Sequence, residues 1–143
     1  MRVSGLLLLA LVVVVIAMFQ EVRSVIEKMA AAIQNFEGWY PGSRSYRNNN
    51  PGNLKFAGQG GAVGQDELGH AIFDSYQSGW NALTRQLTLA FTGLSRVYRP
   101  TDTLYQFFGK YAEANSVSYA QTVAAQLGVS PDATLAQIAT GTA

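Results

Sequence analysis

The chain has 143 residues, 48% of them hydrophobic and only 13% charged, with a formal net charge of +1. Nine basic residues from Arg23 to Lys110 balance nine acidic ones and no basic tract occurs, which argues against nucleic acid as a partner. Cysteine is absent, which excludes disulfides and thiol catalysis; a single histidine among scattered carboxylates argues against a zinc site, and nothing in the sequence calls for a cofactor.

Leu6 to Phe19 is unbroken apolar sequence, preceded by Gly5, Ser4, Val3 and the lone charge of Arg2. Its 14 residues match a signal-peptide hydrophobic region, while the 17 from Val3 reach the lower limit for spanning a bilayer. An imperfect small-residue cleavage pattern stands at Val15-Ile16-Ala17, but beyond it no Gly or Pro interrupts the chain until Gly38. Residues 1–21 therefore read as an uncleaved signal anchor, with a removed signal peptide as the alternative. Residues 22–143 read as one exported domain, held on the periplasmic or external face of the inner membrane with Arg2 cytoplasmic.

Between Val22 and Phe36 the apolar residues Val22, Ile26, Met29, Ala30, Ile33 and Phe36 recur every three or four positions, which predicts an amphipathic helix. Glu37 falls within about 40° of Ile26, Ala30 and Ile33 on the helical wheel, so its carboxylate continues the buried stripe. Gly38 supplies the stop. A carboxyl group at the end of an apolar stripe is poorly solvated, and its pKa should rise toward the range of a general acid. The competing reading is a helix-terminal Glu whose side chain bends out to water.

Pro41 to Gly69 reads as a functional loop system containing a short hairpin, with strand-like segments at Asn53–Phe56 and His70–Phe73. Asp74 or Ser75 caps a helix carrying Trp80, Leu83, Leu87, Phe91 and Leu94 on one face. Pro100-Thr101-Asp102 starts a helix with Leu104, Phe107, Phe108 and Tyr111. Another runs from Ser116 or Ser118 through Tyr119, Val123 and Leu127 to Gly128, and Ser130-Pro131-Asp132 opens a short last helix with Leu135 and Ile138. The expected architecture is mainly α, an α+β fold of about five helices around a short β-hairpin, preceded by the hydrophobic helix.

Asn48-Asn49-Asn50-Pro51-Gly52-Asn53-Leu54 is first of all a turn, since Asn tolerates left-handed backbone. Four amides exceed what a turn needs, however, and amides suit sugar hydroxyls and N-acetyl groups. Trp39, Tyr40 and Tyr46 stand nearby as stacking surfaces, or as ordinary core and rim residues.

Glu37-Gly38-Trp39, Pro41-Gly42-Ser43 and Arg47-Asn48-Asn49-Asn50-Pro51-Gly52-Asn53-Leu54 together resemble small phage and bacterial peptidoglycan lyases of the lysozyme-like superfamily. The likeness continues through Ala71-Ile72-Phe73, Gly79-Trp80-Asn81-Ala82-Leu83, Tyr111-Ala112, Asn115, Tyr119, Val123-Ala124 and Leu127-Gly128-Val129, covering Ile26 to Ile138. It implies a lysozyme-like fold with Glu37 as the catalytic acid/base. It also implies that Asn49, Asn50 and Asn53 line the cleft beside it, and that Tyr111 and Asn115 face it from a helix-to-helix turn. Glu113-Ala114 stands where many relatives carry Pro, and the G-L-M-Q motif of larger lytic transglycosylases is absent.

A two-carboxylate glycosidase needs a partner for Glu37. Asp66 and Glu67 read as water-facing loop residues and Asp74 as a helix cap, which leaves Glu113 as the candidate second carboxylate. His70 reads as a strand-edge hydrogen-bonding residue. Arg44 and Arg47 are either contacts for peptidoglycan carboxylates or solvated loop arginines.

The expected function is cleavage of peptidoglycan between N-acetylmuramic acid and N-acetylglucosamine by one catalytic Glu, as a lytic transglycosylase serving phage penetration, lysis or wall remodelling. The alternatives are a hydrolytic muramidase and a non-catalytic, membrane-anchored wall-binding or virion structural protein. The expected partners are peptidoglycan, the membrane through the N-terminal helix, and a virion or secretion-machine assembly.

Overall fold

The structure, a computed structural model, describes residues 4–143; the expectations for Arg2 and Val3 lie outside the described residues. Six helices and one two-stranded antiparallel sheet follow in the order α1 (Gly5–Glu37), α2 (Arg44–Arg47), β1 (Ala62–Gln65), β2 (Ala71–Phe73), α3 (Tyr76–Thr92), α4 (Leu104–Tyr111), α5 (Ser116–Leu127) and α6 (Leu135–Thr140).

Helix α1 is one continuous rod of 33 residues, roughly 50 Å long at 1.5 Å per residue. Its two halves differ in burial. From Leu6 to Phe19 every large apolar side chain is exposed, and the helix contains an 18-residue window that is long and apolar enough to cross a bilayer. From Ile26 the apolar residues narrow to a stripe, and Ile26, Met29, Ala30, Ala32 and Ile33 are buried in the core. The helix ends where the stripe ends: Gly38 takes left-handed φ 78°, and its N–H donates to the Asn35 carbonyl.

Helices α3, α5 and α6 pack around that second half, and α4 packs on α5. Leu83, Leu87, Phe107, Phe108, Val123 and Leu135 complete the core. Residues 5–21 bury nothing against the domain. A fragment of residues 22–143 is therefore expected to unfold at the same temperature as the full chain in detergent, measured by circular dichroism.

The expected hairpin exists with a different first strand. Ala71–Phe73 pairs with Ala62–Gln65, in register Ala62↔Phe73, Gly64↔Ile72 and Gln65↔Ala71, with a bulge at Val63. Asn53–Phe56 is not a strand, because Asn53 sits at left-handed φ 49° and twists the segment away from sheet geometry. It still runs beside β2: the Ala71 N–H donates to the Leu54 carbonyl at 2.8 Å, and Phe56 N–H to Gly69 at 2.9 Å. The loop also contains an unexpected single turn of helix, α2, capped by Ser43.

Three helix boundaries move as well. Helix α3 is capped by Ser75, not Asp74, and stops at Gly93, leaving Leu94 outside it and 74% exposed. Helices α4 and α6 start at Leu104 and Leu135, each from a capping box, Thr103 with Gln106 and Thr134 with Gln137. The Pro-Thr-Asp and Ser-Pro-Asp segments upstream are turns. They stay non-helical because their backbone is used crosswise: Leu104 N–H donates to the Ala133 carbonyl, and Leu135 N–H to the Asp102 carbonyl. The two capping boxes clip the two helix starts together.

Candidate active site

The end of α1, the Asn-rich loop and the α4–α5 turn enclose a cleft of about 590 Å³. Glu37, Asn53, Tyr111, Glu113 and Asn115 all line it, and so do Tyr119, His70 and Lys55. Asn49 and Asn50 do not.

Asn50 is fully buried, its amide donating to the Leu54 and Ala71 carbonyls while its Oδ1 accepts from Leu54 N–H, each at 2.9 Å. Asn49, at φ 51°, donates to the Phe73 carbonyl at 3.1 Å, and Asn48 donates to Asp66 Oδ2 at 2.9 Å. These amides tie the loop to β2 and to a buried acid, and their hydrogen-bonding capacity is spent on the protein itself. The loop is clamped from its other side by Gly79 of α3, where a Cβ would lie 1.8 Å from the Asn49 carbonyl oxygen. Asn53 is the one of these four asparagines that lines the cleft.

Glu37 is partly buried, and its Oε1 accepts from the Tyr119 hydroxyl at 2.8 Å. Burial pushes the carboxyl above its ordinary range; hydrogen bonds from Tyr119 and the Asn53 side chain oppose the shift without cancelling it, and the charge of Glu113 adds to it. Tyr119 is 2% exposed, and burial drives its phenol far upward, so it remains a donor. With Oε1 occupied by that donor, the proton of a neutral Glu37 resides on Oε2. The Phe36 and Phe108 rings sandwich the Tyr119 ring at centroid distances of 3.8 and 4.3 Å, which fixes the donor in place. Beside it, Asn53 Oδ1 is buried with no partner among the described residues.

Glu113 has the opposite environment. Lys55 Nζ stands 2.5 Å from its Oε1 and His70 Nε2 3.1 Å away. The Lys55 hydrogen bond outweighs a small burial penalty and, with the His70 contributions, holds the carboxyl below its ordinary range. An ionised carboxylate only accepts, so His70 Nε2 carries the proton in this contact. Behind it, His70 is 1% exposed, with Nδ1 3.3 Å from Arg44 Nη1 and 3.4 Å from Asp66 Oδ1. Asp66 is not a water-facing residue: its side chain is 9% exposed. Burial alone would raise its pKa, but the His70 N–H, the Asn48 amide and the Leu68 N–H overcome this and hold it well below the carboxylate range. Glu67, in contrast, is exposed as expected.

Lys55→Met is expected to return the Glu113 pKa upward toward its ordinary value. A carboxyl ¹³C titration checks this, with Glu113→Gln identifying the resonance. Because the folded pKa is depressed, the pair adds stability above the ordinary value of 4.5 and loses it as pH falls through the folded pKa.

Arg44 and Arg47 do not line the cleft. Arg44 faces Asp66, His70 and Glu67, and Arg47 Nη1 donates to the Gly42 carbonyl at 2.7 Å. Trp39 packs against Tyr46 and Tyr76 at 5.1 and 5.0 Å, outside the cleft. Tyr111 lines the cleft with its hydroxyl already donated to the Gly52 carbonyl at 2.5 Å, whereas the Asn115 side chain makes no capping bond.

The chain matches no family model, no curated protein and no solved structure. Two carboxyls share one cleft, with pKa values pushed in opposite directions, which gives one the environment of an acid and the other that of an anion. Sequence reasoning did not assign His70, Lys55 or Tyr119 to the site. Tyr119 carried a weak signal as a polar-tipped aromatic on an otherwise apolar helix face; His70 and Lys55 carried none, since their partners lie 43 and 58 positions away.

Proposed function

We propose that this chain cleaves the glycan strands of peptidoglycan between N-acetylmuramic acid and N-acetylglucosamine, with Glu37 as the general acid. The observation that carries this reading is the partly buried Glu37 carboxyl, its pKa pushed upward by burial at the wall of a cleft while Tyr119 holds one of its oxygens. The resemblance to small lyases of the lysozyme-like superfamily supports it from the sequence side.

In the reaction, the Oε2 proton passes to the glycosidic oxygen as the C1–O bond breaks. The substrate's own N-acetyl group stabilises the positive C1. The Glu37 carboxylate then takes the proton of the 6-hydroxyl, and O6 bonds to C1, which leaves a 1,6-anhydro end and consumes no water. Asn53, which lines the cleft and hydrogen-bonds Glu37 through its side chain, holds the carboxyl in position for both proton transfers. The exposed apolar half of α1 serves as a membrane anchor that holds the domain on the wall side of the membrane, a setting that suits phage penetration or lysis and wall remodelling beside a secretion machine.

Glu113 favours a second reading. An ionised carboxylate in the same cleft is the group that a hydrolytic muramidase uses to activate water or to stabilise the cationic centre. Mass spectrometry of fragments released from purified walls separates the readings. Products lighter by one water than the hydrolysed disaccharide-peptides, still formed by Glu113→Gln, identify transglycosylation. Hydrated products lost in Glu113→Gln identify a muramidase. No products from folded protein leave a non-catalytic wall-binding or virion structural role.

A further inference from the structure

A second groove of about 720 Å³ joins the catalytic cleft. The two share Ala57, Gln59, Gln86 and Tyr98, so a polymer lying past Glu37 runs on into it. Its chemistry differs from that of the cleft. Arg85 and Arg96 line it, and no acidic residue does. Among the described residues neither guanidinium has an acidic partner within ion-pair distance, whereas Lys55 and Lys110 in the neighbouring cleft are paired with Glu113 and Asp102. Apolar surface lines the same groove: Leu94, stranded beyond the end of α3, is 74% exposed, and Val97 is 56% exposed.

Two unpaired guanidiniums beside exposed aliphatic side chains match a short acidic segment bearing small apolar groups. A glycan stripped of its stems carries only one lactyl carboxylate and methyl on each N-acetylmuramic acid, close to the strand, whereas the peptide stems of peptidoglycan add alanine methyls and free carboxylates that reach away from it. We infer that this groove seats the acidic peptide stem of the strand being cut, with Arg85 and Arg96 pairing to its carboxylates and Leu94 and Val97 covering its methyl groups. The inference rests on the proposed function and adds a substrate class to it: peptide-bearing strands are preferred to bare glycan. It also moves the carboxylate-binding role from Arg44 and Arg47, which are used inside the protein, to the arginines of the groove.

The test compares purified walls with walls stripped of their stems by an amidase, using the full chain in non-ionic detergent. Two exposed ion pairs and a modest apolar contact predict a KM roughly tenfold lower on the peptide-bearing walls. Arg85→Gln/Arg96→Gln should bring the two KM values together while kcat on stripped walls stays unchanged, and high salt should do the same to the wild type. Equal KM values in the wild type, or a preference that survives in the double variant, would overturn the inference. Co-sedimentation of the Glu37→Gln protein with the two wall preparations reads the groove without cleavage. Absence of cleavage on both preparations thus counts against the proposed function alone, and equal co-sedimentation counts against the groove.

Discussion

Glu37→Gln should lower glycan cleavage by about a thousandfold while the protein stays folded. The amide keeps the shape of the carboxyl and still accepts from the Tyr119 hydroxyl, so the sandwich of Phe36, Tyr119 and Phe108 is undisturbed. What it removes is the transferable proton. The same substitution has a signature in stability with a definite sign. The folded pKa of Glu37 is raised, so its contribution to stability is fully present below the unfolded value of 4.5 and is lost as pH rises through the folded value. Glu37→Gln removes an ionisation that opposes folding, and it should be at least as stable as the wild type at pH 8, with the advantage vanishing near pH 4. Thermal melts across that range check it. A variant that is inactive and also less stable at pH 8 would point to a structural rather than a chemical role for this side chain.

Asn50→Ala should cost roughly 3–5 kcal/mol of stability, read from urea unfolding, and should disable the cleft as a consequence. One fully buried side chain makes three hydrogen bonds, to Leu54 N–H, the Leu54 carbonyl and the Ala71 carbonyl. Alanine leaves these buried backbone groups short of partners in a place water does not reach, and each such loss costs about 1–3 kcal/mol. Leu54 follows Asn53 directly, so loosening this clip moves the Asn53 amide off Glu37. The expected order of effects is a fall in stability first and, at temperatures where the variant is still folded, a smaller drop in activity than for Glu37→Gln. An Asn50→Ala protein as stable as the wild type would show that the loop is held by the Gly79 contact and the hairpin alone.

How much of this was legible beforehand depended on how far each residue's partner lies along the chain. The stripe from Ile26 to Phe36, its stop at Gly38 and the placement of Glu37 on its buried side follow from helical geometry within one segment, and the structure bears them out. So does the mainly helical architecture with one small hairpin. Helices α4 and α6 start downstream of the proline and acid signals because the Thr-x-x-Gln boxes, not those signals, set their first turns. The first strand was misplaced because Asn53 takes a left-handed backbone that a strand-like run of side chains does not reveal.

The asparagines illustrate the boundary best. Asn49, Asn50 and Asn53 look equivalent in a turn of four amides. In the fold, Asn50 is fully buried, Asn49 donates to β2, and Asn53 lines the cleft with its oxygen buried and unpartnered among the described residues. The sequence by itself determined the apolar rod, the amphipathic helix that continues it and the position of a poorly solvated acid at its end, because each depends on spacing along one helix. Only the tertiary structure decided that Glu113 is the ionised partner in the same cleft and that His70 and Lys55 hold it so. Only the fold, too, brought the Arg85–Arg96 groove up against the cleft. Those environments are built from segments 40 or more positions apart, and a pKa depends on which charges and how much water end up around a group.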